Sequence, residues 1–327
     1  MTSTTLNGVK SAGANLPLRI RASTPVDLVA VLPYLFGFVP SKSVIVLALE
    51  GRQVLAAGRF DTAAALDLES GQLAASLAPL ASAGSDHVVV GWHDAVLEAE
   101  QAAARTVAAL RLECQTIIVS NGRCRADGGA WANCAASLPA ADTAGLAVLG
   151  DRQAVADKVA GPRPGDALAE RRWASARVAL THRSSRWCHD RLKTLLRRGL
   201  ADPEALSDAD RVELAALVKG GLVRDGVWAT MTLQRAGSQV VLWSSVVALV
   251  PDDGAVAPLG LLGVAAWLAG QGALATCCLE RGLAIDGAHS LLRLFESIHV
   301  ACVPPGAWPN MRQQLMAQIV RNQNGEV

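Results

Sequence analysis

A chain of 327 residues, 51% hydrophobic and 18% charged, is long enough for two domains or one large core, and this composition excludes a disordered chain. Thirty Lys and Arg face 29 Asp and Glu, a net charge of +1, so the molecule as a whole offers no polyanion-binding field. Seven cysteines, odd in number and without a Cys-x-x-Cys, fit a reducing cytoplasm better than a disulfide framework. The first residues lack the apolar centre of a signal peptide, and the longest apolar runs, 240–250 and 259–269, fall short of the ~20 residues that span a bilayer, so no membrane association is expected.

Residues 1–15 read as a polar tail and 18–21 as a first strand. Thr24-Pro25 supplies an N-cap and a first-turn proline for an apolar helix over 25–35, which Gly37 can close. The run SVIVLAL at 43–49, the Glu50-Gly51 turn and the returning stretch 53–60 predict a hairpin, followed by a helix over 66–80. The chain is then organised around 86–125. Val88, Val89 and Val90 make a short strand ending at Gly91; Asp94 can cap a helix carrying Val96, Leu97, Val107 and Leu110; Ile117, Ile118 and Val119 make a second strand that Asn121-Gly122 ends. Such a strand–helix–strand unit implies a parallel pair. An irregular loop over 121–141, a short strand at 146–149 and a helix over 151–160 follow.

Gly161-Pro162-Arg163-Pro164-Gly165 cannot continue a helix and reads as a domain boundary. Beyond it the pattern is helical: a long Arg-rich helix over 166–198, a Ser-capped helix over 207–219, an ambiguous apolar stretch over 225–249, and helices over 258–270, 272–285 and 288–302, before Pro304-Pro305 and a polar tail. Residues 261–285, with small residues at Gly270, Gly272 and Gly282, resemble one tetratricopeptide-type hairpin. The expectation is an α/β domain over 16–160 with a mixed, largely parallel sheet, and an α-helical domain over 166–323.

Three patterns carry candidate chemistry. His93 and Asp94 follow one parallel strand and Asn121, Gly122 and Arg123 the next, so both loops reach the carboxyl edge of the sheet, where α/β proteins bind ligands. Arg123 could clamp a phosphate or carboxylate and His93 act as acid or base; equally, Asp94 caps, His93 is solvated and Asn121-Gly122 is a turn. Basic residues including Arg183, Arg186 and Arg191, interleaved with Trp173 and Trp187, could track a nucleic-acid backbone, or lie over the protein with their charges paired to acids in 202–213. The cysteines and histidines do not form two close pairs, so no metal is expected, and no glycine pattern for a dinucleotide or phosphate loop is present, so no cofactor is expected.

Several short motifs resemble the actinobacterial family called domain of unknown function 4192 (DUF4192): Thr24-Pro25-Val26-Asp27-Leu28, Pro33-Tyr34-Leu35-Phe36-Gly37-Phe38, Gly122-Arg123, Asp151-Arg152-Gln153-Ala154-Val155, Ala265-Ala266-Trp267-Leu268 and Val303-Pro304-Pro305. The resemblance implies an actinobacterial, cytoplasmic protein and no particular activity. Where the family pattern sets an aromatic and then paired cysteines after Gly-Arg, this chain has Cys124 and later only Cys134. Together these features favour a non-catalytic binding or scaffold protein that self-associates as a homo-oligomer or binds a protein partner through its helical domain. The alternatives are an enzyme or sensor for a phosphorylated or nucleotide-like small molecule, and nucleic-acid binding through the Arg-rich helix.

Overall fold

The computed structural model describes residues 4–7, 19–22, 24–51, 53–134 and 148–323. They form two compact units, Met1–Arg152 with Val300–Pro304, and Gln153–His299 with Pro305–Val327. All the strands lie in the first; the second is built from helices.

The first unit runs β1 (Thr4–Asn7), β2 (Arg19–Ala22), α1 (Pro25–Phe36), β3 (Ser43–Glu50), β4 (Gln53–Asp61), α2 (Thr62–Asp67), α3 (Ser70–Ala81), β5 (Asp86–Trp92), α4 (Val96–Leu110), β6 (Cys114–Ser120), β7 (Arg123–Ala126) and β8 (Ala132–Asn133). One mixed sheet takes the order β2-β1-β4-β3-β5-β6-β7-β8. Its central strands are apolar on both faces because helices cover both. Ile45, Leu47, Val88, Val90, Ile117 and Val119 pack against Leu28, Val29, Val31 and Leu32 of α1. The alternate positions Val44, Val46, Val89 and Ile118 pack against Ala65 of α2, Leu73 and Leu77 of α3, and Ala99, Ala102 and Ala103 of α4. Burying each of the larger side chains contributes roughly 1.5–3 kcal/mol. α1 begins in a capping box, with the Thr24 hydroxyl accepting from the Asp27 amide at 3.1 Å and the Asp27 carboxylate accepting from the Thr24 amide at 3.0 Å. It ends at Gly37 in the left-handed region (φ 76°).

The expected sheet was largely parallel; the observed one is mostly antiparallel. Apart from a single-residue register between β1 and β4, only β5 and β6 run parallel among the described strands. The tight Glu50-Gly51 turn sends β4 back along β3, β3 runs antiparallel to β5 as well, and Asn121-Gly122 sends β7 back along β6. The polar tail contains β1, and the loop expected over 121–141 contains β7 and β8, its part beyond Cys134 lying outside the described residues. In place of the strand at 146–149, Leu149 makes an isolated bridge with Phe38, and residues 146–147 lie outside the described set. The helix expected over 66–80 is two, because Leu68 and Glu69 are extended and the Leu68 carbonyl accepts from Arg105 at 2.5 Å.

The second unit carries α5 (Arg152–Asp157), α6 (Ala167–Thr181), α7 (Ser185–Ala201), α8 (Asp208–Leu217), α9 (Gly221–Ala229), α10 (Ala236–Val247), α11 (Asp252–Leu268), α12 (Gly272–Ile285), α13 (Ser290–Val300) and α14 (Trp308–Gln323). Single helical turns precede α8, α10 and α14. α11 is the centre, buried from Gly254 to Leu268 except at Val256. It starts six residues before Pro258, which a sequence reading takes as a helix start. An interior proline costs about 3 kcal/mol, and the packing around an almost wholly buried helix overrides that cost. The long helix expected over 166–198 breaks at His182–Ser184, where the Ser184 hydroxyl caps α7 by accepting from the Trp187 amide at 3.2 Å. The stretch over 225–249 resolves into α9, a single turn over Leu233–Arg235 and α10. No helix among the described residues is long and apolar enough to cross a membrane.

Candidate functional site

The parallel register of β5 and β6, which pairs Trp92 with Val119, brings His93, Asp94 and Asn121 to one edge of the sheet. Their side chains and backbone interlock. The Asp94 main-chain carbonyl accepts from the Ser120 hydroxyl at 2.7 Å and from the Asn121 amide nitrogen at 3.2 Å. His93 accepts the Ala95 amide on Nδ1 at 2.9 Å, which leaves the proton of a neutral ring on Nε2, 3.1 Å from the Glu98 carboxylate. Both ring nitrogens are therefore engaged in holding the first turn of α4. The Asp94 side chain is not the expected cap: the N-cap position is Ala95, and no side chain caps this helix. Asp94 contributes its carbonyl instead.

Asn121 and Gly122 both have positive φ, 49° and 72°. This is the geometry of a two-residue hairpin turn, and it feeds β7 back beside β6. Residues opposite one another in an antiparallel pair share a face. Arg123 sits opposite Ser120 and Arg125 opposite Ile118, so both arginines emerge on the α4 side of the sheet. Arg125 forms an ion pair with Glu100 of α4 and its guanidinium lies 5.0 Å from the Trp131 ring centroid. Its Nε is buried without a hydrogen-bond partner. Arg123 is exposed, 6.0 Å from the same ring, and has no carboxylate partner among the described residues. Val96, Glu100, Ser120, Asn121, Arg123, Arg125 and Trp131 line a hollow of about 430 Å³. A second hollow of about 480 Å³ adjoins it across the Glu100–Arg125 pair, over Val107, Thr116 and Ile118.

Glu100, Arg125 and Trp131 escaped the sequence reading. The signal was present: Asn-Gly between two strand-like runs is the strongest short hairpin signal, and a hairpin there puts residues 123 and 125 on one face. On the other face, Cys124 contacts Cys134, whose thiol is pushed up to about 12 by burial, with the hydrogen bond and charge repulsion from Cys124 adding to it. A thiol held protonated at neutral pH is a poor nucleophile and a poor metal ligand. Among the described residues no three His, Cys, Asp or Glu side chains converge as a metal site.

The helical candidates separate. Arg191 bridges α7 to α8, with Nη2 2.6 Å from both Asp210 and Glu213 and Nε 3.0 Å from Glu213. The Glu213 hydrogen bond leads the effects that raise the Arg191 guanidinium pKa. Burial pushes Asp210 up, but hydrogen bonds from Ser207 and Arg191 outweigh it and hold the carboxyl low. Arg191 is thus a strut within the fold. Arg172 pairs with Asp208 at 3.3 Å and Arg177 with Asp253 at 3.3 Å. Arg183 and Arg186 are exposed and have no carboxylate partner among the described residues; Arg183 lies 4.6 Å over the Trp187 ring.

Compared with known proteins, the chain matches the family described as "Domain of unknown function (DUF4192)" over residues 25–306 and belongs to it. No curated protein and no solved structure matches the chain.

Proposed function

We propose that this DUF4192 member is a binding protein for a small anionic molecule with a planar ring, such as a nucleotide, held in the hollow between α4 and β7. The observation that carries this reading is Arg123: an exposed guanidinium with no carboxylate partner among the described residues, beside the half-buried indole of Trp131, at the carboxyl end of the parallel strand pair. Arg123 would take the phosphate or carboxylate in a two-pronged contact, and Trp131 offers a face for the ring. Binding without catalysis is favoured because His93, the one ring at this edge suited to proton transfer, has both nitrogens committed to α4.

Titration calorimetry of the purified protein with adenosine and guanosine mono- and triphosphates, and with inorganic phosphate, tests this. Expected is saturable binding of at least one nucleotide, weakened roughly ten- to a hundredfold by Arg123→Ala, since a charge-assisted contact is worth roughly 1.5–3 kcal/mol. No heat with any of them at millimolar concentration, or binding indifferent to Arg123→Ala, overturns it.

A further inference from the structure

The corner where α6 meets α7 has no part in that hollow, and its composition calls for its own account. From Ala174 to Asp190 no residue is buried; Ala176, Leu180, Trp187 and Cys188 are half-buried and the rest are exposed. The same stretch has no acidic side chain before Asp190, yet holds Arg177, His182, Arg183, Arg186 and His189. Elsewhere in this unit several arginines are matched to acids, Arg191 to Asp210 and Glu213, Arg211 to Glu204 and Asp208, Arg224 to Asp225 and Arg281 to Asp252, whereas Arg171 and Arg197 have no carboxylate partner among the described residues. At the corner, among the described residues, only Arg177 is matched, by Asp253. With no acid between Ala174 and His189, the corner is locally positive although the chain as a whole is near neutral.

We propose that this corner is a nucleic-acid docking surface that contacts the phosphate backbone through Arg183 and Arg186. Charge complementarity sets the class of partner: two guanidinium groups three residues apart, Arg183 in the His182–Ser184 turn and Arg186 in the first turn of α7, can each take a phosphate oxygen pair. An indole decides between a polynucleotide and an acidic protein. Trp187 is half-buried beneath the Arg183 guanidinium, and a stacked arginine–tryptophan pair is a platform on which an unpaired base can lie. An acidic protein surface offers carboxylates for the arginines and nothing for that platform. The occupant is therefore a flexible, single-stranded stretch of RNA or DNA, bound with little sequence preference.

The test is fluorescence anisotropy of a labelled 20-nucleotide single strand with the full chain, at increasing salt. Binding at low salt is expected to weaken with a slope of about −1.4 in log affinity against log salt, from roughly −0.7 per neutralised phosphate and two phosphates. The double variant Arg183→Ala with Arg186→Ala should lose at least tenfold, and the slope should approach zero. Arg183→Lys with Arg186→Lys should keep the slope but lose the stacking contribution. The double alanine variant should leave mononucleotide binding by calorimetry unchanged, so failure of the nucleotide site and failure of this surface are distinguishable. No binding at low salt, binding indifferent to the double alanine variant, or equally tight binding of poly-glutamate dependent on the same two arginines overturns the proposal, the last by assigning the corner to an acidic protein.

Discussion

Among the described residues stand two arginine–tryptophan assemblies, one at the sheet edge and one at the α6–α7 corner, and they differ in what surrounds the cations. At the edge, Trp131 meets two guanidinium groups; one is neutralised by Glu100, and helix α4 walls the site into a hollow. At the corner, Trp187 meets Arg183 alone, on a surface where no carboxylate among the described residues pairs with Arg183 or Arg186 and no residue from Ala174 to Asp190 is buried. A walled, partly neutralised site favours a small ligand of matching shape. An open, unneutralised one favours a flexible polyanion and depends on salt. The difference lies in the company of the arginine rather than in the arginine, which is why a count of charges along the chain misses it.

The largest effect should come from the wall. At Gly91 an added Cβ would lie 2.4 Å from the Ala99 carbonyl oxygen of α4. Gly91→Ala should push α4 off β5, destabilise the sheet unit by about 2–3 kcal/mol in denaturant unfolding, and displace Glu100, the neighbour of Ala99, while single-strand binding at the corner survives. Next comes the boundary between strut and surface. Arg191→Ala should cost about 2 kcal/mol, because it leaves Asp210 and Glu213 half-buried without their partner. Arg183→Ala should stay within about 0.5 kcal/mol of wild type. Equal costs for the two would erase the distinction drawn here. A smaller change sharpens the contrast: Glu100→Gln frees Arg125 and should raise nucleotide affinity several-fold by calorimetry, leaving the corner untouched.

The smallest effect is one of pH. Burial and the nearby Arg224 lower the His289 pKa against the opposing pull of Asp286 and Asp225, and burial lowers that of His299. Both rings are more easily protonated when unfolded. Their contribution is therefore fully present above the ordinary histidine value of 6.5 and is lost as the pH falls through it toward the folded values. Chemical denaturation at pH 7 and pH 5 should show the helical unit weakening at the lower pH, and His289→Gln should remove part of that dependence.

Local chemistry was legible where it was sufficient. Thr24-Pro25 announced α1, SVIVLAL with Glu50-Gly51 announced β3 and β4, and the small, apolar run after Pro258 announced a buried helix. Reading Asn121-Gly122 as an end rather than a reversal hid β7, and with it Arg125. Reading 166–198 as continuous hid the corner, because the break at His182–Ser184 is made by one serine hydroxyl rather than by glycine or proline.

By itself, then, the sequence determined α1, the β3–β4 hairpin and the β5–α4–β6 unit, and that Arg123, His93 and Asn121 gather at one edge, since a parallel strand pair forces it. Only the tertiary structure decided which charges are spent. His93 is consumed by Ala95 and Glu98, and Arg191 by acids 19 and 22 residues away, whereas Arg123, Arg183 and Arg186 find none among the described residues. Pairing over such distances depends on how elements pack, and the strength of a charge depends on its partner and its burial, neither of which is written in the order of residues.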